Sequence, residues 1–224
     1  MLQGIVFDFD GVMVDSEPLH YQAYLDVLAE QGVRFDYAQY LEQYIGFDDR
    51  DALRTIARDF NLPLDEAGVM RLIERKADAF EARLKQGIAP YPGVVELVES
   101  AAAANWPLAI CSGALLRDIQ HILPALAGGR LAPRFRTIVA ADHVERSKPD
   151  PQGYRLAAEQ LGLPPGNCLA IEDTPAGLTA ARSAGLRTLA VAHTYPAGHL
   201  QNYADRVVQA LRNVTAEELR EWFG

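Results

Sequence analysis

Hydrophobic and polar positions along the chain fall into two textures. At the start, the apolar run "GIVF" has the character of a buried strand and ends in two aspartates one residue apart, Asp8 and Asp10, followed at once by a glycine. The pattern then turns helical through about Gln31, with Tyr21, Tyr24, Leu25 and Leu28 forming a stripe that reads as core packing. Further helical segments follow at roughly Tyr37 to Ile45, Arg50 to Asn61 and Asp65 to Gln86, with no convincing strand among them. From "PYPGV" onward, Pro90 to Val94, the texture becomes alternation: a helix near Val94 to Ala104, then strand "PLAIC", helix "LRDIQHILPAL", strand "RTIVA", helix "PQGYRLAAEQLG", strand "NCLAIED", helix "PAGLTAARSAG" and strand "LRTLAVA".

Repeated strand-then-helix units imply a parallel sheet covered by helices on both faces. The expected class is therefore α/β, with a Rossmann-like parallel-sheet core in residues 1–15 and 89–224 and an α-helical cap domain, residues 16–88, inserted after the first strand. The final segment, "TAEELREWF", opens with a capping-box spacing from Thr215 to Glu218 and predicts a closing helix. Thr174, followed by Pro175, is placed to cap the helix after "NCLAIED", and Asp15 with Ser16 to cap the first helix of the insertion.

Composition narrows the picture. With 224 residues, 49% of them hydrophobic, the chain can bury a sizeable core. Its net charge of −9, with basic residues scattered along it, argues against a nucleic-acid partner or an anionic membrane surface. The N-terminus enters a strand pattern directly, with no basic and apolar leader, and there is no 18-residue apolar run, so a cytoplasmic protein without a membrane segment is expected, as a monomer or weak dimer. Cys111 and Cys168 each lie inside an apolar strand-like run and read as buried free thiols.

In an open parallel sheet the functional crevice lies beyond the carboxyl ends of the strands. The first strand ends in Asp8 and Asp10; "PLAIC" ends in Ser112 and Gly113; "RTIVA" is followed by Asp142 and then Lys148 in "SKPDP"; "NCLAIED" ends in Glu172 and Asp173. Carboxylates a few ångströms apart disfavour one another's ionisation, a cost that a divalent cation offsets. Oxygen ligands without His or Cys point to Mg²⁺ before Zn²⁺ or Cu²⁺. One such ion, a lysine and a small hydroxyl beside backbone amides suit a phosphoryl group, and paired carboxylates allow one to attack while the other moves a proton.

"DFDGVMVDS", Ser112, Lys148 in "SKPDP" and "EDTPAG" at Glu172 to Gly177 resemble the four ordered motifs of the haloacid dehalogenase superfamily, in the branch of β-phosphoglucomutase and small phosphosugar or phosphoglycolate phosphatases. The resemblance extends to the helical insertion and the "YPGV" re-entry, and so covers nearly the whole chain. It implies Asp8 as the nucleophile that forms an aspartyl phosphate and Asp10 as the acid and base. It also implies Mg²⁺ held by the Asp8 carboxylate, the Asp10 main-chain carbonyl and the Asp173 carboxylate, with Glu172 behind them or as an alternate ligand. Ser112 and the Gly113 amide would hold phosphoryl oxygens, and Lys148 would neutralise the Asp8 and phosphate charges. In the insertion, "IGFDDRD" (Ile45 to Asp51) would be the specificity loop, with Arg50 reaching a second anionic group, and His20 and Lys76 match a histidine and a cap lysine of the mutase.

The expected activity is Mg²⁺-dependent hydrolysis of a small phosphorylated metabolite, of sugar phosphate or phosphoglycolate type. A β-phosphoglucomutase-like phosphosugar mutase is the alternative, although the mutase's Gly-x-x-Arg spacing is one residue longer here, from Gly46 to Arg50. A phospho-accepting regulatory module would have no substrate for a cap to enclose. A dehalogenase would not need Asp10, and a phosphonate hydrolase would replace it with a small residue.

Overall fold

The computed structural model describes residues 1–45, 47 and 49–224. The elements run β1 (Gly4–Phe7), α1 (Glu17–Leu28), α2 (Tyr37–Gln43), α3 (Asp49–Asp59), α4 (Glu66–Leu84), α5 (Val94–Ala103), β2 (Leu108–Cys111), α6 (Leu116–Ile122), β3 (Phe135–Val139), α7 (Gln152–Leu161), β4 (Cys168–Glu172), α8 (Pro175–Ser183), β5 (Arg187–Val191), α9 (Ala197–Leu200), β6 (Arg206–Val208) and α10 (Ala216–Phe223). They form two compact units, one of Met1–Asp15 with Ile88–Gly224 and one of Ser16–Gly87.

The first unit is α/β and Rossmann-like: six parallel strands in the order β3-β2-β1-β4-β5-β6. The chain winds from β1 to one edge, returns to the centre and winds to the other edge, so β1 and β4 flank the reversal where crevices form. Every residue of β1, β2 and β4 is buried, as expected of central parallel strands covered on both faces. On one face Val6, Ala109, Val139 and Ala170 pack with Tyr154, Ala157 and Leu161 of α7 and Ala180 and Ala181 of α8. Register then sets the chemistry: Phe7 pairs with Ile110 and Ile171, which brings Asp8 level with Cys111 and Glu172, with Ser112 one residue beyond.

The second unit is helical. Tyr24 and Leu28 of α1 join Phe35, Tyr40, Tyr44, Leu53, Ile56 and Leu72 in its core, with Tyr21 and Leu25 packed against it. No helix among the described residues is long and apolar enough to cross a membrane.

Several boundaries differ from the pattern-based ones for identifiable reasons. The helix expected through Leu126 ends at Ile122 and continues as irregular 3₁₀ turns, because Pro124 lacks the N–H and its ring crowds the preceding turn. Ser16 occupies the N-cap of α1 but makes no side-chain capping bond there. Thr174 and Thr215 do cap: the Gly177 amide donates to Thr174 Oγ1 at 3.1 Å, and Thr215 and Glu218 form the reciprocal box. Within the loop Ile45 to Asp51, Gly46 and Asp48 lie outside the described residues.

Candidate active site

Asp8 leaves the end of β1 with 7% of its surface exposed. Lys148, carried by the loop after β3, reaches it: Nζ donates to Asp8 Oδ1 at 2.8 Å, to Glu172 Oε1 at 2.6 Å and to the Cys111 carbonyl at 3.0 Å. Glu172, fully buried at the end of β4, accepts more. Its Oε1 also takes the Tyr154 hydroxyl at 2.9 Å, and its Oε2 takes the Asp173 amide at 3.0 Å, the Thr174 amide at 3.1 Å and the Thr174 hydroxyl at 3.0 Å. Gly177 provides the space, since a Cβ there would lie 1.7 Å from Glu172 Oε1.

Asp173 is treated differently. It is 2% exposed, its Oδ2 accepts the Thr194 hydroxyl, and its Oδ1 is buried with no hydrogen-bond partner among the described residues. One oxygen each of Asp8, Glu172 and Asp173 lies within 4.8 Å of the others, a buried acidic cluster able to hold a metal ion. Gly11 closes the turn after β1 at φ +79°, with its amide donating to the Val14 carbonyl at 2.9 Å. A Cβ on Gly11 would lie 1.9 Å from Asp173 Oδ2, so glycine is required by the neighbouring carboxylate as well as by the dihedral.

The electrostatics follow from this crowding. Burial pushes the Asp8 carboxyl well above its ordinary range, Glu172 and Asp173 add to the rise, and Lys148 only partly offsets it. Asp173 is raised to about 7 by burial and then by Glu172. For Glu172 burial works in the same sense, but Lys148 and the Thr174 and Tyr154 donors outweigh it and hold the group below its ordinary value. Burial disfavours the Lys148 ammonium, yet Asp8 and Glu172 prevail and raise it. The hydrogen bonds agree with the Glu172 direction, since that carboxylate accepts from Lys148, Tyr154, the Asp173 amide and both Thr174 donors.

Ser112 directly follows β2, 6% exposed, with Oγ accepting the Ala114 amide at 3.0 Å, and exposed Gly113 comes next. Asp10 sits half-buried in the turn after β1. Asp142 serves another purpose, since its Oδ1 accepts the Leu116 amide at the start of α6, 3.0 Å away.

In the helical unit His20 and Lys76 meet. Lys76 Nζ lies 2.7 Å from His20 Nδ1 and donates to Asp49 Oδ1 at 2.7 Å, while the Tyr24 hydroxyl donates to the same oxygen at 2.8 Å. The lysine is 2% exposed, so this pairing compensates a buried charge. Burial, and then Lys76, push His20 down to about 3. Arg50 is exposed, 3.8 Å from Glu66 and 3.4 Å from Met70 Sδ.

Tyr154, His193 and Thr194 were not among the sequence candidates. The last two follow β5 and carry the same signal as the others, polar residues at the carboxyl end of a strand. Tyr154, on α7 among apolar neighbours, reads only as core.

The haloacid dehalogenase-like hydrolase family model matches residues 2–185. Fructose-1-phosphate phosphatase YqaB of Escherichia coli is 30% identical, over 82% of this chain and 93% of its own. Among solved structures, a CbbY variant from Rhodobacter sphaeroides in complex with xylulose-(1,5)bisphosphate is 29% identical, with 96% of each chain covered and a TM-score of 0.78. A provisionally named β-phosphoglucomutase from Thermotoga maritima is 25% identical, covering 98% of this chain and 99% of its own, with a TM-score of 0.83. The chain belongs to the haloacid dehalogenase-like hydrolases, in the branch that includes these phosphatases and mutases, and is a phosphoric monoester hydrolase.

Proposed function

We propose that this protein is a Mg²⁺-dependent phosphatase of a small phosphorylated sugar, working in the cytoplasm through an aspartyl phosphate on Asp8. The observation that carries the reading is the Asp8 carboxylate fixed by Lys148 beside a buried Asp173 oxygen that has no hydrogen-bond partner among the described residues. Among the described residues the cluster offers three carboxylates as ligands, and two of these acids have raised values, so a hard dication fits it. Bound Mg²⁺ would supply charge neutralisation for the phosphoryl oxygens. Asp8, the Asp10 carbonyl and Asp173 are assigned as its ligands; Glu172, already accepting five hydrogen bonds, is assigned to hold Lys148.

In the first step an Asp8 oxygen forms a bond to phosphorus as the P–O bond to the sugar breaks, and Asp10 gives its proton to the leaving oxygen. In the second, Asp10 takes a proton from water, whose oxygen displaces Asp8 and releases phosphate. Ser112 and the Gly113 amide hold the phosphoryl oxygens while Lys148 balances charge on Asp8. Sugar phosphates are favoured because YqaB is named for fructose 1-phosphate and the CbbY structure holds a pentulose bisphosphate. Arg50, His20 and Lys76 are assigned to the substrate's remaining groups. The two free, buried cysteines suit a reducing compartment.

Phosphorus NMR with Mg²⁺ and fructose 1-phosphate, xylulose 1,5-bisphosphate, phosphoglycolate or β-glucose 1-phosphate tests the reading. Free phosphate should appear, vanish with EDTA or in Asp8→Asn, and form on the order of 10²–10⁴-fold more slowly in Asp10→Asn. Full turnover by Asp8→Asn refutes the nucleophile; isomerisation of a phosphosugar without phosphate release makes the protein a mutase.

A further inference from the structure

The loop after β5 reaches back to the acidic cluster through two consecutive residues. His193 Nδ1 lies 2.8 Å from the Gly11 carbonyl, and because a carbonyl only accepts, this nitrogen carries the proton. The ring is stacked on Tyr91, centroids 4.0 Å apart at 18°, so its position is fixed from both sides. The next residue, Thr194, donates its hydroxyl to Asp173 Oδ2. Gly11, having no Cβ, leaves the space that this oxygen occupies, since a Cβ there would lie 1.9 Å from it. The two oxygens of Asp173 are thus inequivalent: Oδ2 is held by a hydroxyl in the space that Gly11 leaves, and Oδ1 is buried with no hydrogen-bond partner among the described residues.

We infer that Thr194 is a positioning residue that sets cation selectivity, by making Asp173 present a single oxygen. The inference rests on the metal-dependent reading above. Mg²⁺ requires near-ideal octahedral geometry, whereas Ca²⁺ accepts more ligands at longer distances, including both oxygens of one carboxylate. An Asp173 whose Oδ2 is tied to Thr194 serves the smaller ion. With Oδ2 released, the carboxylate can turn and offer both oxygens, which serves the larger one. Thr194 itself is exposed, so its replacement leaves the core packing intact.

The test is titration calorimetry of the full-length protein with MgCl₂ and with CaCl₂, without substrate, for the parent, Thr194→Val and Thr194→Ser. Thr194→Val keeps the shape and removes the donor; its Mg²⁺ affinity should fall by roughly 10-fold, at the lower end of what residues supporting metal ligands contribute. Its Ca²⁺ affinity should hold or rise, and Thr194→Ser should restore the parent ratio. Parent-like Mg²⁺ and Ca²⁺ affinities in Thr194→Val, or an equal loss of both, would overturn the assignment while leaving the metal site standing. A parent protein that binds no Mg²⁺ would sink the metal-dependent reading and this one together.

Discussion

Inside a helix, alanine is ordinarily better than glycine by about 1 kcal/mol, yet at Gly177 of α8 the opposite is expected. An added methyl would overlap Glu172 Oε1, 1.7 Å away, and Glu172 cannot retreat because hydrogen bonds hold both its oxygens. Gly177→Ala should therefore lower unfolding stability by roughly 1–3 kcal/mol, the usual cost of overpacking, in urea titrations. A neutral or stabilising effect would mean that the Glu172 carboxylate is free to move. The same crowding explains which residues could be read from sequence. Asp8, Ser112, Glu172 and Asp173 were legible because their place follows from topology: each ends an apolar strand, and parallel strands bring such ends together. The reasons for Gly177 and Tyr154 were not legible, because a helix glycine and an apolar-flanked tyrosine acquire meaning only when α7 and α8 pack beside Glu172.

Among the elements, α1, α3 and α4 are joined by a buried polar group, His20, Asp49 and Lys76, in place of purely apolar packing. The His20 value falls from 6.5 unfolded to about 3 folded, through burial and then Lys76, with Asp49 opposing. The unfolded chain therefore binds the extra proton between these values, and the stability contributed by the neutral ring is lost as pH falls from about 6.5 toward about 3. Melting temperature should drop more steeply from pH 7 to pH 4 in the parent than in His20→Gln; parallel curves would show that the ring titrates normally in the fold. Helix existence here was legible from periodicity for α1, α3 and α4, which each bury residues at helical spacing, whereas α2 buries only Tyr40. The short edge elements escaped notice for a physical reason. β6 is three partly exposed residues and α9 a single turn, too short for any period to register.

At the scale of the whole molecule, the strand order places Asp8 at the centre of the sheet, with Ser112 on one side and Glu172 and Asp173 on the other. That convergence gathers three acids around one lysine, and burial first, then their mutual repulsion, raises Asp8 and Asp173 in the folded state. Without a cation, removing one of these charges should strengthen the fold. At pH 8, above the Asp173 value of about 7, Asp173→Asn in EDTA should melt a few degrees higher than the parent, each kcal/mol corresponding to about 2–4 °C for a chain of this length. With Mg²⁺ at 100 times its dissociation constant the parent should gain about 2.7 kcal/mol by mass action. Asp173→Asn, with its orphaned oxygen in an uncharged amide, should gain little, so the order of melting temperatures inverts between the two buffers. An Asp173→Asn variant that melts lower than the parent in EDTA would show that Asp173 supports the fold by itself. Inversion would show that the acids lower the stability of the folded chain until a cation binds, leaving a carboxylate free to attack.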